Sequence, residues 1–312
     1  MKFNRILAAA VGLGFFAASL PGFAQAGDQV QARSVVTILP KQGEGPVPVQ
    51  PKDFKVQVNG KTMEATDVVP LRGNRAGLEL VILVDGGART SLGREMDDIS
   101  KFVQSLPPET SVGIAYMQNG RALFAQPLTN DRARALSALH IPGGIPGESA
   151  SPYFCLSDLA KNWPSTNRDN RREAIMITDG LDPYNLRFDP EDPYLQSAIN
   201  DSIRAGVVVD SIYWHDAGRF DRGEFRANNG QSLLAIVTDS TGGMNYTQGF
   251  GNPVSLTPFL ADISKRLENQ YELGYIVKPK AKPEVQQLKV KLEMPGVKLN
   301  APQRVLVPGV AQ

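Results

Sequence analysis

The sequence predicts an α/β protein with a doubly wound, mostly parallel sheet and a small β module formed by the N- and C-terminal segments. Two continuous apolar runs, at residues 78–84 and 174–178, are typical of strands buried on both faces of a parallel sheet. Segments with helical spacing alternate with apolar runs through the middle of the chain. Strand signals at both chain ends indicate the β module.

Near the N-terminus, residues 34–39 and 54–58 are rich in amino acids that favour strands. The pair Asn59-Gly60 then predicts a type I′ hairpin turn that leads into a strand over 61–69. Near the C-terminus, further strands are predicted at 271–277, 288–292 and 305–307.

The central part begins with the strand over 78–84, and we expect a helix capped by Ser91 to follow it. Two strands, 112–117 and 122–125, are joined by the turn Asn119-Gly120. Other helices are predicted at 131–139, 153–162, 194–205 and 232–238, and other strands at 174–178, 207–213 and 244–247. The last helix is predicted to start at Thr257-Pro258, with Thr257 as its cap and proline at the first helical position.

These signals divide the mature chain into three segments. Residues 27–76 form the N-terminal segment of the β module, 77–270 form the central α/β domain, and 271–312 form the C-terminal β segment. Because strands flank the central domain on both sides, we expect the two end segments to pack together in one module.

The first 26 residues have the features of a secretory signal peptide. Lys2 and Arg5 precede an apolar stretch over 6–20, and Ala24-Gln25-Ala26 fits a small-x-small cleavage site. No second long apolar run follows, so the mature chain is expected to lack an integral membrane segment. We therefore expect an exported protein, periplasmic or extracellular.

The net charge limits the kinds of partner to be expected, and the cysteine content limits the covalent bonds that could stabilise the fold. The formal net charge is +1, and removing Lys2 and Arg5 with the signal peptide would bring it to about −1. A nucleic-acid partner would require a basic face, which this balance does not indicate. Cys155 is the one cysteine, so no intrachain disulfide can form, and its apolar neighbours predict a buried thiol.

Two aspartates are the strongest candidates for a functional site. Asp85 and Asp179 each follow a buried strand and precede a glycine. Ligands of doubly wound sheets bind at the carboxyl ends of the strands, near the switch point of the strand order. Two carboxylates there would suit Mg²⁺. Alternatively, each aspartate only accepts hydrogen bonds from the amides of its own turn.

Three segments resemble the von Willebrand factor type A superfamily, whose fold is Rossmann-like. They are Leu83-Val84-Asp85-Gly86-Gly87-Ala88-Arg89, Ile175-Met176-Ile177-Thr178-Asp179-Gly180 and Gln270-Tyr271-Glu272-Leu273-Gly274-Tyr275. The chain is most similar to a bacterial subgroup of exported "VWFA-related domain" proteins, through Asp53-Phe54-Lys55-Val56-Gln57-Val58-Asn59-Gly60 and Thr241-Gly242-Gly243. The resemblance covers roughly residues 33–308.

The resemblance implies a metal-ion-dependent adhesion site, but this chain does not have all of the ligands of that site. Asp85 and Asp179 match the two aspartates of the family, whereas Gly87 and Arg89 stand in place of two serines. Glycine has no hydroxyl group, and a guanidinium cannot coordinate a metal. We therefore expect a degenerate site and no cofactor, with binding of Mg²⁺ by the two aspartates weak or absent.

Two details of the implied site stay open from sequence. The threonine of the family falls within the loop 149–151, where either Ser149 or Ser151 would take its place. The Arg89 guanidinium either turns inward and pairs with one of the aspartates, or points to solvent.

The resemblance implies a non-catalytic interaction or adhesion module that binds a protein partner through the loops 86–94, 141–152 and 180–193. One alternative is an α/β hydrolase or phosphatase-like enzyme. However, residues 147–151 lack the final glycine of a nucleophile elbow, and Gly87 stands where a phosphatase would have a second carboxylate. Another alternative is a structural component of an envelope assembly, in which the hairpin edge 54–65 accepts a strand from a partner.

Overall fold

Three sheets make up the architecture of the computed structural model, which describes residues 29–43, 45–185, 188–218 and 223–310. One is a six-stranded sheet with helices on both faces, and the other two are four-stranded and antiparallel. The signal peptide predicted over residues 1–26 lies outside the described residues.

The N-terminal segment contributes four strands, which are β1 (Val30–Pro40), β2 (Phe54–Val58), β3 (Lys61–Met63) and β4 (Ala65–Pro70). Asn59 and Gly60 both have positive φ angles, of 50° and 76°, as the predicted type I′ turn requires. The single strand predicted over 61–69 is instead divided at Glu64, because β3 and β4 belong to different sheets.

The six-stranded central sheet consists of β5 (Leu78–Asp85), β6 (Thr110–Gln118), β7 (Arg121–Thr129), β8 (Arg171–Thr178), β9 (Val207–Tyr213) and β10 (Asn245–Tyr246). Its order is β10-β9-β8-β5-β6-β7, and every neighbouring pair is parallel except β6 and β7. Counted along the domain, this is the doubly wound order 3-2-1-4-5-6. The predicted fold class is therefore confirmed.

In the described ranges, six helices cover the central sheet, namely α1 (Met96–Ser105), α2 (Arg132–Ser137), α3 (Pro152–Lys161), α4 (Pro193–Ala205), α5 (Glu224–Thr241) and α6 (Thr257–Glu268). Alternate residues of a strand point to opposite faces. Ile82 and Val84 of β5 accordingly share a core with α1 and α6, whereas Val81 and Leu83 share one with α3, α4 and α5. Among the described residues, no helix is both long and apolar enough to cross a membrane.

Three helix starts differ from the sequence-based expectation. Residues Gly86–Glu95 form 3-10 turns, and the Ser91 hydroxyl donates to the carbonyl of Ala88, so Ser91 does not cap α1. Helix α5 begins at Glu224, eight residues earlier than predicted, because packing of Ala227 against Leu234 and Tyr213 overrides the low helix propensity of its Asn- and Gly-containing start.

The start of α6 is capped from another helix. Thr257 is the first residue of α6 and not its cap, because Leu256 occupies the N-cap position. One oxygen of Asp98, in α1, accepts hydrogen bonds from the amides of Leu256 and Thr257, both at 3.0 Å. A carboxylate distant in sequence therefore satisfies the free amides of α6.

The C-terminal segment adds β11 (Gln270–Val277), β12 (Glu284–Leu292), β13 (Val297–Asn300) and β14 (Arg304–Val307), of which β13 was not predicted. The two antiparallel sheets have the orders β13-β1-β11-β4 and β14-β12-β2-β3, so each contains strands from both chain ends. Val36, Val56 and Tyr275 lie in one hydrophobic core that both sheets share. Both chain ends thus form the small β module, while the exact segment limits near 76 and 270 stay predictions.

A buried polar cluster lies where the central sheet meets the β module. Glu173 of β8 accepts a hydrogen bond from the side-chain amide of Gln270, the first residue of β11. The second Glu173 oxygen, the Gln270 amide oxygen and one Arg266 nitrogen are buried without hydrogen-bond partners. Burial, and secondly the negative charge of Asp210, raises the pKa of Glu173. A protonated Glu173 would supply a donor to a cluster that has unpartnered acceptors.

This cluster generates a prediction about pH. The pKa of Glu173 is raised on folding. The contribution of protonated Glu173 to the free energy of unfolding is therefore complete below the ordinary pKa of glutamate, about 4.3, and is lost as the pH rises through the raised pKa. We expect the free energy of unfolding of the unmodified chain to fall between pH 5 and pH 8. In Glu173→Gln this fall should be smaller by at least about 2 kcal/mol.

Urea unfolding of both proteins across this pH range measures the difference. Glu109→Gln, which alters an exposed glutamate, is the matched control and should leave the pH profile unchanged. Identical profiles for Glu173→Gln and the unmodified chain would contradict the assigned shift.

Candidate functional site

Asp85 and Asp179 come together at the carboxyl ends of β5 and β8. These two strands are parallel neighbours, paired through Val84 and Ile177, and they form the switch point of the strand order. Both side chains are buried, with exposed fractions of 1% for Asp85 and 4% for Asp179. The negative charge of Asp85 contributes to a raised pKa at Asp179, which reflects their proximity.

Hydrogen bonds occupy both oxygens of the Asp85 carboxylate. Oδ1 accepts from the backbone amide of Gly87 at 2.9 Å, and Oδ2 accepts from the Thr178 hydroxyl at 2.7 Å. Burial nevertheless raises the pKa of Asp85 to about 6, with these bonds and one to the Ser149 hydroxyl acting in the opposite direction. Asp85 is therefore held by local donors.

Asp179 is less well satisfied. Its Oδ1 accepts from the Leu181 amide at 3.1 Å, but its Oδ2 is buried without a hydrogen-bond partner. The backbone of Gly218 closes on this oxygen, since a Cβ atom built there would lie 2.1 Å from it. Burial first, and the charge of Asp85 second, raise the pKa of Asp179 well above its usual value. The geometry thus favours the protonated form of Asp179.

The two candidate serines have different environments. The Ser149 hydroxyl lies beside Asp85 and acts to lower the pKa of that carboxyl, whereas the buried Ser151 hydroxyl lies beside Asp182 and acts in the same way there. Ser151 is the N-cap residue of α3, and its carbonyl accepts from the Cys155 amide at 3.3 Å. Cys155 is buried, as predicted, and burial raises the pKa of its thiol. Of the two serines, Ser149 is the one that joins the aspartates.

Gly87 lies where two loops meet, and the space around it is filled. A Cβ atom on Gly87 would come within 2.5 Å of the Ala217 carbonyl oxygen, 3.0 Å of the Gly147 nitrogen and 3.1 Å of the Pro146 Cα. The Gly147 amide donates to the Ala217 carbonyl at 3.0 Å, which ties the two loops together. A serine side chain does not fit at this position without movement of backbone.

Arg89 is exposed, so its side chain points to solvent and not toward the aspartates. Within the described part of the chain, its guanidinium forms no ion pair with Asp85 or Asp179. Its backbone has φ 53° and ψ −158°, a conformation that residues other than glycine rarely adopt. Such a backbone costs about 1–3 kcal/mol.

These contacts do not fit the metal site that the resemblance implies. Position 87 has neither a hydroxyl group nor room for one, and Asp85 already bonds to local donors. In the ranges that the structure describes, no three Asp, Glu, His or Cys side chains form a group that could hold a metal ion. Binding of Mg²⁺ by Asp85 and Asp179 stays a prediction to be tested by titration.

A group of three aromatic rings, two of them exposed and one half-buried, adjoins these loops and was not predicted. We call Phe154, Tyr184 and Tyr194 the aromatic patch; the Phe154 ring centroid lies 5.3 Å from that of Tyr184 and 4.8 Å from that of Tyr194. The two tyrosines are 61% and 48% exposed.

The sequence does contain a signal for this patch. Asp-Pro-Tyr occurs at 182–184 and again at 192–194, and in each copy the aspartate Oδ1 accepts from the tyrosine amide at 2.9 Å. The repeat sets both tyrosines in the same local turn, beside the carboxyl edge of the sheet.

The crowding around Gly87 predicts the effect of introducing a side chain. We expect Gly87→Ser to lower the free energy of unfolding by about 1–3 kcal/mol, because the added Cβ overlaps backbone atoms that cannot move independently. Gly143→Ser is the matched control in the same loop region, since a Cβ at Gly143 meets no atom within 4 Å. Urea unfolding compares the two, and equal stability would refute the closed geometry.

The backbone of Arg89 predicts a change of opposite sign. Arg89→Gly should raise the free energy of unfolding by about 1 kcal/mol, because glycine adopts a positive φ without strain. The measurement is again urea unfolding. Arg121→Gly, at an exposed position in strand β7, should lower stability. A loss of stability in Arg89→Gly would contradict the strained conformation.

No family model matches the sequence, and no curated protein matches it. The chain is similar to a number of solved structures, including the following three. An aerotolerance-related membrane protein from Bacteroides fragilis is 17% identical, with 61% of this chain and 98% of that chain covered and a TM-score of 0.42. The SpRpn10 VWA domain is 15% identical, with 59% and 94% covered and a TM-score of 0.39. Manganese-loaded TRAP protein from Plasmodium vivax is 11% identical, with 88% and 98% covered and a TM-score of 0.41.

These likenesses concern the fold alone. The strand order of the central sheet, its antiparallel edge strand β7 and the aspartates at its switch point agree with the sequence resemblance described above. The central domain has the doubly wound α/β fold that the sequence resemblance implies.

Proposed function

We propose that this chain is an exported, non-catalytic module that binds a protein partner through the carboxyl edge of its central sheet. One observation supports this most directly. Most of the large hydrophobic side chains that are exposed in the described residues lie in loops or helix starts at this edge, namely Ile141, Ile145, Tyr184, Tyr194, Phe225, Phe250 and Val254.

Such a concentration of apolar surface favours protein binding. Single exposed apolar residues are common on soluble proteins, but clusters of them at one edge are typical of interaction sites. Tyrosine is enriched among the residues that contribute most to binding, because its ring buries a large area with little loss of side-chain freedom. We infer that the aromatic patch forms the centre of the contact.

The buried aspartates support a non-catalytic role. Asp85 and Asp179 are 1% and 4% exposed, so a substrate could not reach either carboxylate unless the covering loops moved. We infer that the pair has become part of the core and that binding of the partner does not require a divalent cation. The exposed residues of the carboxyl edge would then bind the partner without the metal ion on which the von Willebrand factor type A site depends.

The test uses the mature chain and its Tyr184→Ser/Tyr194→Ser variant as baits for proteins of the envelope and the medium. We expect the unmodified chain to retain one partner, in EDTA as well as in Mg²⁺, and the double variant to lose at least about 2 kcal/mol of binding free energy. Lys289→Ser, exposed in the β module, is the matched control and should bind normally.

Three outcomes would contradict the proposal. Unchanged binding by the double variant would show that the aromatic patch is not part of the contact. Binding that requires Mg²⁺ and is lost in Asp85→Asn would show that a metal site operates. Turnover of ester or phosphate substrates that is lost in Asp85→Asn would make the chain an enzyme, which is the rival class.

A further inference from the structure

A cavity of about 220 Å³ lies between the central domain and the β module, at the end of the sheet opposite to Asp85. Strands β1, β9 and β14 contribute to its walls, together with the end of α4. We propose that this cavity binds a small, multiply charged oxyanion of the size of pyrophosphate or citrate. The inference is independent of the function proposed for the carboxyl edge.

The charges that line the cavity are strongly unbalanced. Arg33, Arg168, Arg171 and Arg304 line it, and Glu272 is the one acidic residue among the lining residues. Glu272 already accepts from Arg33 and, at 2.8 Å, from Arg75. Two cations therefore share this carboxylate, and the other three lining arginines have no share in it.

Those three arginines donate to neutral groups. Arg168 Nη1 donates to the Ala205 carbonyl at 2.9 Å, Arg171 Nη1 to the Leu71 carbonyl at 3.1 Å, and Arg304 Nη1 to the Gln196 amide oxygen at 2.6 Å. Across the described residues, none of the three lies within 4.0 Å of a carboxylate oxygen. Each guanidinium has five donors, so most of them remain available to a ligand.

Arg171 gives a second indication that the cavity suits an anion. Its Nε is buried and has no hydrogen-bond partner. Burial lowers the pKa of its guanidinium, which means that the surroundings penalise the positive charge. A bound oxyanion would offset this penalty, since charge-assisted bonds between guanidinium groups and oxyanions are among the strongest hydrogen bonds in proteins.

The volume and the lining of the cavity indicate the class of ligand. The volume is large enough for several water molecules or for one compact ligand. The apolar side chains of Val35, Val207 and Val208 form part of the wall. A small oxyanion fits both the charge and the volume.

The experiment titrates the mature chain with pyrophosphate and with citrate by calorimetry, in 0.1 M NaCl. We expect saturable binding at one site, with an affinity at least about tenfold weaker in Arg168→Gln/Arg304→Gln. Arg121→Gln/Lys289→Gln removes two exposed charges elsewhere and is the matched control. Its affinity should change by less than about twofold.

Two results would overturn the proposal. One is the absence of saturable binding to the unmodified chain, and the other is an equal loss of affinity in the control, which would indicate unspecific charge attraction. If the double variant does not fold, Arg304→Lys replaces it, because lysine keeps the charge but loses the planar fork. Its affinity should fall by at least about threefold, and an unchanged affinity would overturn the proposal.

Discussion

The parallel pairing of β5 with β8 is the contact on which the rest of the structure depends. Every residue of β5 is buried, because helices cover both faces of the central sheet. Each fully buried Val, Leu or Ile side chain in such a strand contributes roughly 1.5–3 kcal/mol. The pairing brings Asp85 and Asp179 to one edge, so the same apolar burial that stabilises the sheet also confines two carboxylates in a poorly solvated place.

The protein accommodates these carboxylates mainly with hydrogen bonds. Gly87 and Thr178 donate to Asp85, while the raised pKa of Asp179 favours a neutral acid beside it. The loops that carry Gly147 and Ala217 close over the pair, which leaves no space for a side chain at Gly87. One neutral and one hydrogen-bonded acid repel each other less than two anions would.

The two ends of the central sheet carry opposite kinds of surface. Apolar side chains, including Tyr184 and Tyr194, are exposed at the carboxyl edge. At the other end, the β module covers the sheet, and the junction contains buried ionisable groups such as Glu173 and Arg266 as well as the arginine-lined cavity. The β module therefore does more than join the chain ends, because its Gln270 bonds with Glu173 and its Arg33 and Arg304 help to line the cavity.

The sequence by itself determined the fold class, since continuous apolar runs ending in Asp-Gly and alternating helical segments are local patterns that a doubly wound sheet requires. It also pointed to Asp85 and Asp179, and it contained the repeated Asp-Pro-Tyr signal of the aromatic patch. Only the tertiary structure decided that Arg89 is exposed, that Ser149 lies beside Asp85 while Ser151 lies beside Asp182, and that Asp98 caps α6. The reason is physical: apolar periodicity is set by neighbours along the chain, whereas hydrogen bonds, buried charges and side-chain orientation depend on groups that are distant in sequence and meet only when the chain is folded.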